Sequence, residues 1–536
     1  MRDAHEVAKV RAAERELMAK LPDGTLMQRA ATGLASVCAK LLGRVYGSRV
    51  VVLAGSGDNG GDALHAGALL ARRGAAAVAV AAGSRTHEAG AAALRAAGGK
   101  IVGSADALVA PAIAGADLII DGMLGIGGRG GLREPYAGLA RMASGSAATV
   151  VAVDLPSGID ADTGAVGGPA VRADVTVTFG TWKPGLLIDP GAAHAGVVEL
   201  IDIGLTPYLD AADAASPQAE DIAAMLPWPT ADSDKYRRGV IGIVAGSEHF
   251  TGAAVLSVGG AIRGGAGMVR FVSAQPAVTV VRQWWPETVI TVLPPEPAAA
   301  GGRSGGSRFS GTTAEDFLAS AGRVQAWVAG PGMGTGEDAA QLLRAVLRTD
   351  LPALVDADGL TVLAANRDLL PRPAPTLITP HAGELARLLG ADRGDIEARR
   401  LEHARTAARE LGVTVLLKGS TTVISSPPGS PWHRPDLVNP TGTPWLATAG
   451  TGDVLAGLAG ALLAQGLDPA AAGAAAAFLH GVAARRAAAG EAAGAVPATD
   501  EPAVDGLPVP GPLTGAPIGA ADVVRALPAA FRAVAV

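Results

Sequence analysis

Arg49-Val-Val-Val-Leu-Ala-Gly-Ser-Gly-Asp58-Asn59-Gly60-Gly61-Asp62 runs from an unbroken apolar stretch into a glycine-rich turn that ends on a carboxylate. A stretch apolar at successive positions reads as a parallel strand buried on both faces. The glycines let a backbone approach a ligand closely, and the helix expected to follow offers free N–H groups to a phosphate. Outward from this point the same pattern repeats. Further strands are predicted over Ala76–Ala81, Lys100–Gly103, Asp117–Asp121, Thr149–Asp154, Asp174–Phe179 and Val197–Ile201, with helices such as Gly61–Arg73 and His87–Ala97 between them. That alternation predicts a doubly wound α/β domain. The charged helical stretch Arg2–Lys20 ahead of it is expected to pack against a partner subunit.

A second glycine-rich segment, Thr448-Ala-Gly450-Thr-Gly452-Asp453-Val-Leu-Ala-Gly457, also ends in an aspartate at the mouth of an apolar helix. Two cradles with two carboxylates point to two active sites. Between them the pattern dissolves into Pro, Asp and Ala over Thr206–Asp234, then resumes at Val240–Ala245. It continues through Met268–Val272, Val324–Ala329, Ala353–Asp356, Thr376–Thr379, Val413–Lys418 and Thr421–Ser425. Low-complexity loops are expected over Pro294–Gly311 and Ala492–Gly519. The expected organisation is two α/β domains in tandem, residues 1–210 and 226–536, joined by a linker over 211–225.

Composition narrows the function classes. A chain of 536 residues exceeds one ordinary core. With 44 basic and 50 acidic residues it has neither the basic footprint of a nucleic-acid binder nor a polybasic membrane patch. The single cysteine, Cys38, excludes an intrachain disulfide framework and fits a reducing cytoplasm. The opening Met-Arg-Asp-Ala-His-Glu does not read as a signal peptide. The apolar run Pro469–Ala484 is mostly alanine, and reads as a buried helix, since a membrane span needs about 20 strongly apolar residues.

Gly55, Gly57 and Gly60 formally satisfy the dinucleotide fingerprint, which makes a dehydrogenase the first rival. The fingerprint also wants a carboxylate after the second strand, where this chain has Gly83-Ser84-Arg85. It leaves Asp58, Asn59 and Asp62 unexplained. Polar residues instead gather at predicted strand ends, where open α/β sheets place their crevice: Asn59 and Asp62, Asp121, and Asp154-Leu-Pro-Ser157. Oxygens from Asn59, Asp121 and Ser157 can together bind a hard cation; capping of helices is the alternative for each aspartate taken alone.

The set Asp58–Asp62, Asp121-Gly-Met-Leu-Gly-Ile-Gly127, Val153-Asp-Leu-Pro-Ser-Gly158 and Thr178-Phe-Gly-Thr-Trp-Lys183-Pro-Gly-Leu resembles the NAD(P)H-hydrate epimerase, or YjeF N-terminal, domain, as does Leu26-Met-Gln-Arg-Ala30 upstream. The resemblance covers about residues 1–210 and implies a Rossmann-like three-layer fold. It implies that Asp58, Asn59, Gly60, Gly61 and Asp62, with Gly125, Ile126, Gly127, Gly128, Arg129, Gly130 and Gly131, hold the hydrated dinucleotide. Asp154 would contact the reacting ring as the catalytic group, and Asn59, Asp121 and Ser157 would bind potassium. Two positions depart from the family pattern: Asp58 stands where Asn is more usual, and Ala63 where Gly is.

In the second half, Gly450-Thr-Gly452-Asp453 at the mouth of an apolar helix resembles the arrangement of ribokinase-like enzymes. That implies that the backbone of 450–453 forms an anion hole and that Asp453 removes a proton from a hydroxyl attacking a terminal phosphate. An acid that favours the helix dipole is the alternative for Asp453 alone. The strand–turn–strand Leu416-Leu-Lys418-Gly-Ser-Thr-Thr422 suits a nucleotide's phosphate and ribose. Ala329-Gly-Pro-Gly332-Met-Gly334 is another cradle, Thr379-Pro-His381-Ala-Gly-Glu384 puts an imidazole at a strand end, and Asp356-Ala-Asp358 either binds magnesium or caps a helix. With Asp232-Ser-Asp-Lys235, Ala245-Gly-Ser, Gly252-Ala-Ala254 and Gly264-Gly-Ala-Gly267, these motifs resemble the ADP/ATP-dependent NAD(P)H-hydrate dehydratase family over about residues 222–536. That resemblance implies a ribokinase-like fold. It implies hydrate contacts at Ala253, Gly332, His381 and Asp453, and ADP contacts at Lys418, Gly419, Ser420, Thr421, Thr422 and Gly452. Ala449-Gly-Thr451 replaces a more usual Gly-Gly-Met.

The expectation is therefore a bifunctional repair enzyme of the cytoplasm, a homo-oligomer, that epimerises hydrated NADH and NADPH and dehydrates the S form as ADP becomes AMP and phosphate. Potassium at the first site and magnesium at the second are its expected ions. A hydroxymethylpyrimidine-type kinase with an accessory domain, and a non-catalytic N-terminal module, are the rivals.

Overall fold

The computed structural model describes all residues except Ser84, 296–307, 310–312, 491–514 and Val536. Most of the two predicted low-complexity loops, Pro294–Gly311 and Ala492–Gly519, lies outside the described residues. The chain divides into two compact units, Arg2–Ala215 and Ser216–Val536, the second also taking in Met1.

The first unit opens with strand β1 (Arg2–Ala4) and helix Val7–Met18, which buries Val10, Ala13 and Leu17. Its sheet comprises β2 (Arg49–Ala54), β3 (Ala76–Ala81), β4 (Lys100–Gly103), β5 (Leu118–Gly122), β6 (Thr149–Val153), β7 (Val175–Phe179) and β8 (Val197–Ile201). All neighbours pair in parallel, in the order β4-β3-β2-β5-β6-β7-β8. The order reverses between β2 and β5, and a crevice opens there at the strand carboxyl ends. Along β2, Val50 and Val52 enter one apolar core, with Leu34 and Leu64, while Val51 and Leu53 enter another, with Ile113 and Leu139. Burial on both faces explains why β2 lacks a polar alternation.

The predicted linker contains ordered elements: β9 (Ala214–Ser216) and helix Ala219–Met225, which buries Ile222. In the second unit β10 (Val240–Val244), β11 (Met268–Ser273), β12 (Val289–Val292), β13 (Ala326–Ala329), β14 (Ala353–Val355), β15 (Thr376–Ile378) and β16 (Thr414–Leu417) are parallel. Strands β17 (Thr422–Ser425) and β18 (Asp436–Asn439) extend the sheet antiparallel, giving the order β18-β17-β16-β15-β14-β13-β10-β11-β12. Here the order reverses between β10 and β13.

Two nearly all-apolar helices, Thr451–Ala464 and Pro469–Ala488, are buried almost all round, as predicted for the alanine-rich run. Small residues permit the contact of Thr451–Ala464 with helix Thr251–Arg263: a Cβ on Gly457 would lie 1.9 Å from the Ser257 carbonyl oxygen, and one on Gly260 2.3 Å from that of Val454. Among the described residues no helix is long and apolar enough to cross a membrane.

Candidate active sites

In the first unit the helix after β2 starts at Asp58, three residues earlier than the sequence pattern suggests, because Gly57 supplies an extended N-cap. Asp58, Asn59 and Asp62 thus lie within its first turns. Gly60 and Gly61 serve close packing: a Cβ on Gly60 would lie 2.2 Å from the Gly55 oxygen, and one on Gly61 2.9 Å from the His87 ring. The loop after β5 is equally tight, since a Cβ on Gly125 would meet Asn59 Oδ1 at 2.9 Å.

Asp121, at the end of β5, is fully buried. It accepts from the Ser157 backbone N–H at 2.8 Å, from Ser157 Oγ at 2.7 Å and from the Met123 N–H at 3.2 Å. Burial pushes its carboxyl up to about 6, against the pull of those donors. Asn59, in the first turn of the helix after β2, Asp121, at the end of β5, and Ser157, in the loop after β6, gather at the carboxyl ends of three adjacent strands. Their oxygens suit a hard cation, and the buried Asn59 amide nitrogen has no hydrogen-bond partner among the described residues. Rotation of that amide would present its oxygen instead.

Asp154 follows β6 in the left-handed region, with φ 64°, a conformation costly for a residue with a Cβ and concentrated at functional sites. Its Oδ1 accepts from Lys183 Nζ at 2.5 Å and Thr178 Oγ1 at 3.1 Å. Lys183 is itself buried and donates also to Thr178 Oγ1 at 3.0 Å and the Phe179 carbonyl at 3.1 Å. More carboxylates face this pair. Burial raises Asp62 well above the ordinary carboxylate range, assisted by Asp154, Asp58 and Glu14. Burial likewise raises Glu14 of helix Val7–Met18, with Lys183 opposing and Asp154 reinforcing. Lys183 and Glu14 carried no assigned role in the sequence reading. The signal for Lys183 is topological: it follows β7, the neighbour of the strand that presents Asp154.

In the second unit Asp453 sits in the first turn of helix Thr451–Ala464, behind Gly450 at φ 89°. Burial pushes its carboxyl up to about 7, with Asp356, Asp358 and Glu384 adding to the effect and Lys418 opposing it. Lys418, beyond the end of β16, donates to Asp356 Oδ1 at 2.7 Å and lies 3.9 Å from Glu384 Oε2. Burial opposes its charge, yet Asp356, Glu384 and Asp453 outweigh that and hold the ammonium above its ordinary value. A Cβ on Gly452 would lie 3.3 Å from Lys418 Nζ, so two residues of the predicted nucleotide set meet. Gly419 packs against the Arg400 guanidinium, Thr421 is buried, Ser420 is exposed, and Thr422 opens β17.

Gly332, at φ 60°, would place a Cβ 2.7 Å from Phe250 Cβ and 2.8 Å from Ala253 Cβ. Two predicted hydrate contacts, Ala253 and Gly332, are therefore neighbours, beside an exposed Phe250 that the sequence reading passed over. His381 caps helix Ala382–Leu389: its Nδ1 accepts from the Gly383 N–H at 3.0 Å while Glu384 accepts from its backbone N–H at 2.8 Å. Asp358 opens helix Asp358–Ala365 and accepts from the Gly334 N–H at 2.9 Å. No group of three or more His, Cys, Asp or Glu side chains among the described residues is arranged to hold a metal alone. Asp356, buried and close enough to Asp453 to raise it, is a carboxylate of the kind magnesium takes beside phosphates and water.

Comparison with known proteins places both halves. Residues 23–185 match the family model for the YjeF-related protein N-terminus, and residues 241–501 that for NAD(P)H-hydrate dehydratase. The chain is 47% identical over 503 residues to the bifunctional NAD(P)H-hydrate repair enzyme Nnr of Mycobacterium leprae, covering 93% of this chain and 96% of that one. It is 36% identical over 501 residues to the enzyme of the same name from Salinibacter ruber, covering 87% and 88%. Among solved structures, an ADP/ATP-dependent NAD(P)H-hydrate dehydratase from Bacillus subtilis, co-crystallised with ATP and Mg2+, is 27% identical and covers 59% of this chain and 97% of its own, with a TM-score of 0.45.

Proposed function

We propose, for a chain that belongs to the bifunctional NAD(P)H-hydrate repair enzymes and carries both an epimerase and a dehydratase domain, a division of labour between residues 1–210 and 226–536. The first domain interconverts the R and S hydrates of NADH and NADPH. The second removes water from the S form as ADP becomes AMP and phosphate.

The single observation that carries this reading is the setting of Asp453. A carboxylate in the first turn of a buried helix, pushed up to about 7 and facing Lys418, is suited to take a proton near neutral pH. Asp453 accepts the proton of the hydrate's ring hydroxyl as that oxygen attacks the terminal phosphorus of ADP. The N–H groups of 450–453 and the Lys418 ammonium stabilise charge on the transferring phosphoryl group. Lys418, Gly419, Ser420, Thr421, Thr422 and Gly452 bind the nucleotide; Ala253, Gly332 and His381 bind the hydrate. Phosphate then leaves from the ring carbon, driven by the ring nitrogen lone pair, and loss of a proton from the adjacent carbon restores the reduced ring. Asp356 would hold magnesium together with the nucleotide phosphates and water, where the ion would neutralise their charge.

In the first domain Asp154, anchored by Lys183 and Thr178, faces a carbon that must lose and regain its oxygen through a cationic ring. Its carboxylate stabilises that cation and carries the proton. The residues Asp58–Asp62 and Gly125–Gly131 bind the dinucleotide around it. Asn59, Asp121 and Ser157 would hold potassium, whose charge would offset that of buried Asp121. A homo-oligomer is supported by the apolar exposure of Val197 and Leu200 on edge strand β8, and sedimentation measures it.

The test mixes both hydrate epimers with the full chain, ADP and magnesium, and follows NADH absorbance. Recovery of both epimers is expected. No recovery rejects the dehydratase; recovery of one epimer alone, beyond the spontaneous rate, rejects the epimerase. Replacing ADP by ATP in the same assay reads donor preference.

A further inference from the structure

A cavity of about 60 Å³ opens beside the glycine loop after β5, between Ile126–Arg129, Arg11 on helix Val7–Met18, and Asp160 and Asp162. A water needs only about 10–15 Å³ of such space, so the cavity admits a polar group larger than one water. Two guanidinium groups, Arg11 and Arg129, face it from different segments. Among the described residues neither forms an ion pair or hydrogen bond with protein. The acidic wall is engaged through one oxygen of each carboxylate. Asp160 Oδ1 accepts from the backbone N–H groups of Asp162 and Thr163 and from the Thr163 hydroxyl, at 3.0, 2.9 and 2.8 Å. Asp162 Oδ1 accepts from the Val7 N–H at 2.7 Å.

The loop is shaped around the arginine. A Cβ on Gly127 would lie 3.2 Å from Arg11 Nη2, so the absence of a side chain there lets the guanidinium lie over the loop backbone. Arg11 and Arg129, free of direct ion pairs and attracted at longer range by Glu14 and Asp162 respectively, face one small cavity with a glycine clearing the approach, and the planar fork of Arg matches a pair of phosphate oxygens.

Resting on the epimerase reading of this domain, we infer that Arg11 is a further substrate-binding residue, which with Arg129 grips a phosphate of the hydrated dinucleotide and so fixes where the reacting ring falls against Asp154. The gripped group is either the pyrophosphate, present in both substrates, or the 2′-phosphate, present only in NADPH hydrate.

The test measures epimerisation by the full-length chain without ADP, on NADH hydrate and NADPH hydrate separately, for the wild type, Arg11→Gln and Arg11→Lys. Arg11→Gln is expected to raise KM about tenfold, the loss of one charge-assisted contact, with kcat within about twofold and Arg11→Lys recovering part of the loss. A rise with both substrates identifies the pyrophosphate; a rise with NADPH hydrate alone identifies the 2′-phosphate. An unchanged KM with both, or a fall in kcat alone, overturns the inference. ADP-dependent recovery of the S hydrate by Arg11→Gln at the wild-type rate shows that the variant is folded. A wild-type chain that does not epimerise removes the reading beneath the inference, and the inference with it.

Discussion

Lys183 Nζ lies 2.5 Å from Asp154 Oδ1, and both side chains are buried. The loops after β6 and β7 hold the pair, and Thr178 Oγ1 contacts both members. Removing one partner of a buried ion pair leaves a desolvated charge and costs about 3–5 kcal/mol, whereas neutral packing of the whole pair is far less costly. Lys183→Met is therefore expected to destabilise the epimerase domain by about that amount. Adding Asp154→Asn should restore most of the stability and none of the activity. Chemical denaturation of the single and double variants, with an epimerisation assay, checks both halves of the statement.

Asp453→Asn removes the base and should lower ADP-dependent recovery of NADH by about 10²–10⁴-fold. It should also stabilise the fold. The native carboxyl titrates about 7 against an ordinary 3.8, so the native state favours the proton. That stabilisation is complete below the unfolded value and lost as pH rises through 7. At pH 8 the wild type thus bears a penalty of at most about 4 kcal/mol that asparagine avoids. The difference in melting temperature between variant and wild type should change little from pH 8 to 7 and shrink from pH 7 to 5. A variant no more stable than wild type at pH 8 would contradict the argument.

The same group sets the acid limb of dehydration. Asp453 acts as a base only when ionised, so kcat/KM for the S hydrate should fall about tenfold per pH unit once pH drops below the carboxyl's value. In the free enzyme that value is about 7. Rates at substrate concentrations well below KM between pH 5 and 8 read the limb directly, and a flat profile across that range contradicts Asp453 as the base.

How much of this was legible in the sequence follows from the range of each interaction. Strand β2 and its turn announced themselves, because double-sided burial writes an unbroken apolar run. Asp154 and Asp453 stood out at strand and helix ends. The partnership of Asp154 with Lys183, 29 residues apart, left no periodic trace, since it depends on β6 and β7 being neighbours in the sheet. Glu14 was hidden for the same reason on a helix read only as charged. His381 shows the opposite case: its spacing to Glu384 is that of a capping box, and both side chains serve as caps. Strands β12 (Val289–Val292) and β18 (Asp436–Asn439) lie between prolines, Pro286 and Pro294 for the first and Pro435 and Pro440 for the second, and that turn-rich setting masks them.

Gly332 and Gly334 make a paired test of the hydrate crevice. Both have positive φ, 60° and 82°, so either alanine variant bears a backbone cost of about 1 kcal/mol. Only at Gly332 would the new Cβ press on Phe250 and Ala253, at 2.7 and 2.8 Å; at Gly334 nothing lies within 4 Å. Gly332→Ala should raise KM for the S hydrate at least about tenfold while Gly334→Ala stays near wild type. Equal effects would place the hydrate elsewhere.

Potassium should couple to the protonation of Asp121. The carboxyl is fully buried and pushed up to about 6, so native stability is greatest with the proton bound and declines as pH rises through 6. A monovalent cation held by Asn59, Asp121 and Ser157 would reverse that decline, because it binds the ionised form. Mass action then adds about 2.7 kcal/mol at a potassium concentration 100 times its dissociation constant. At pH 8, replacing tetramethylammonium by potassium at constant ionic strength should raise the melting temperature of the wild type, and the increment should vanish at pH 5. In Asp121→Asn the increment should be absent at both values, since the neutral amide lacks the charge that holds the ion. Its NH2 group would also face the donating Ser157 N–H or hydroxyl, so the variant should melt below the wild type in potassium. A potassium increment that survives in Asp121→Asn would move the ion to a different set of oxygens.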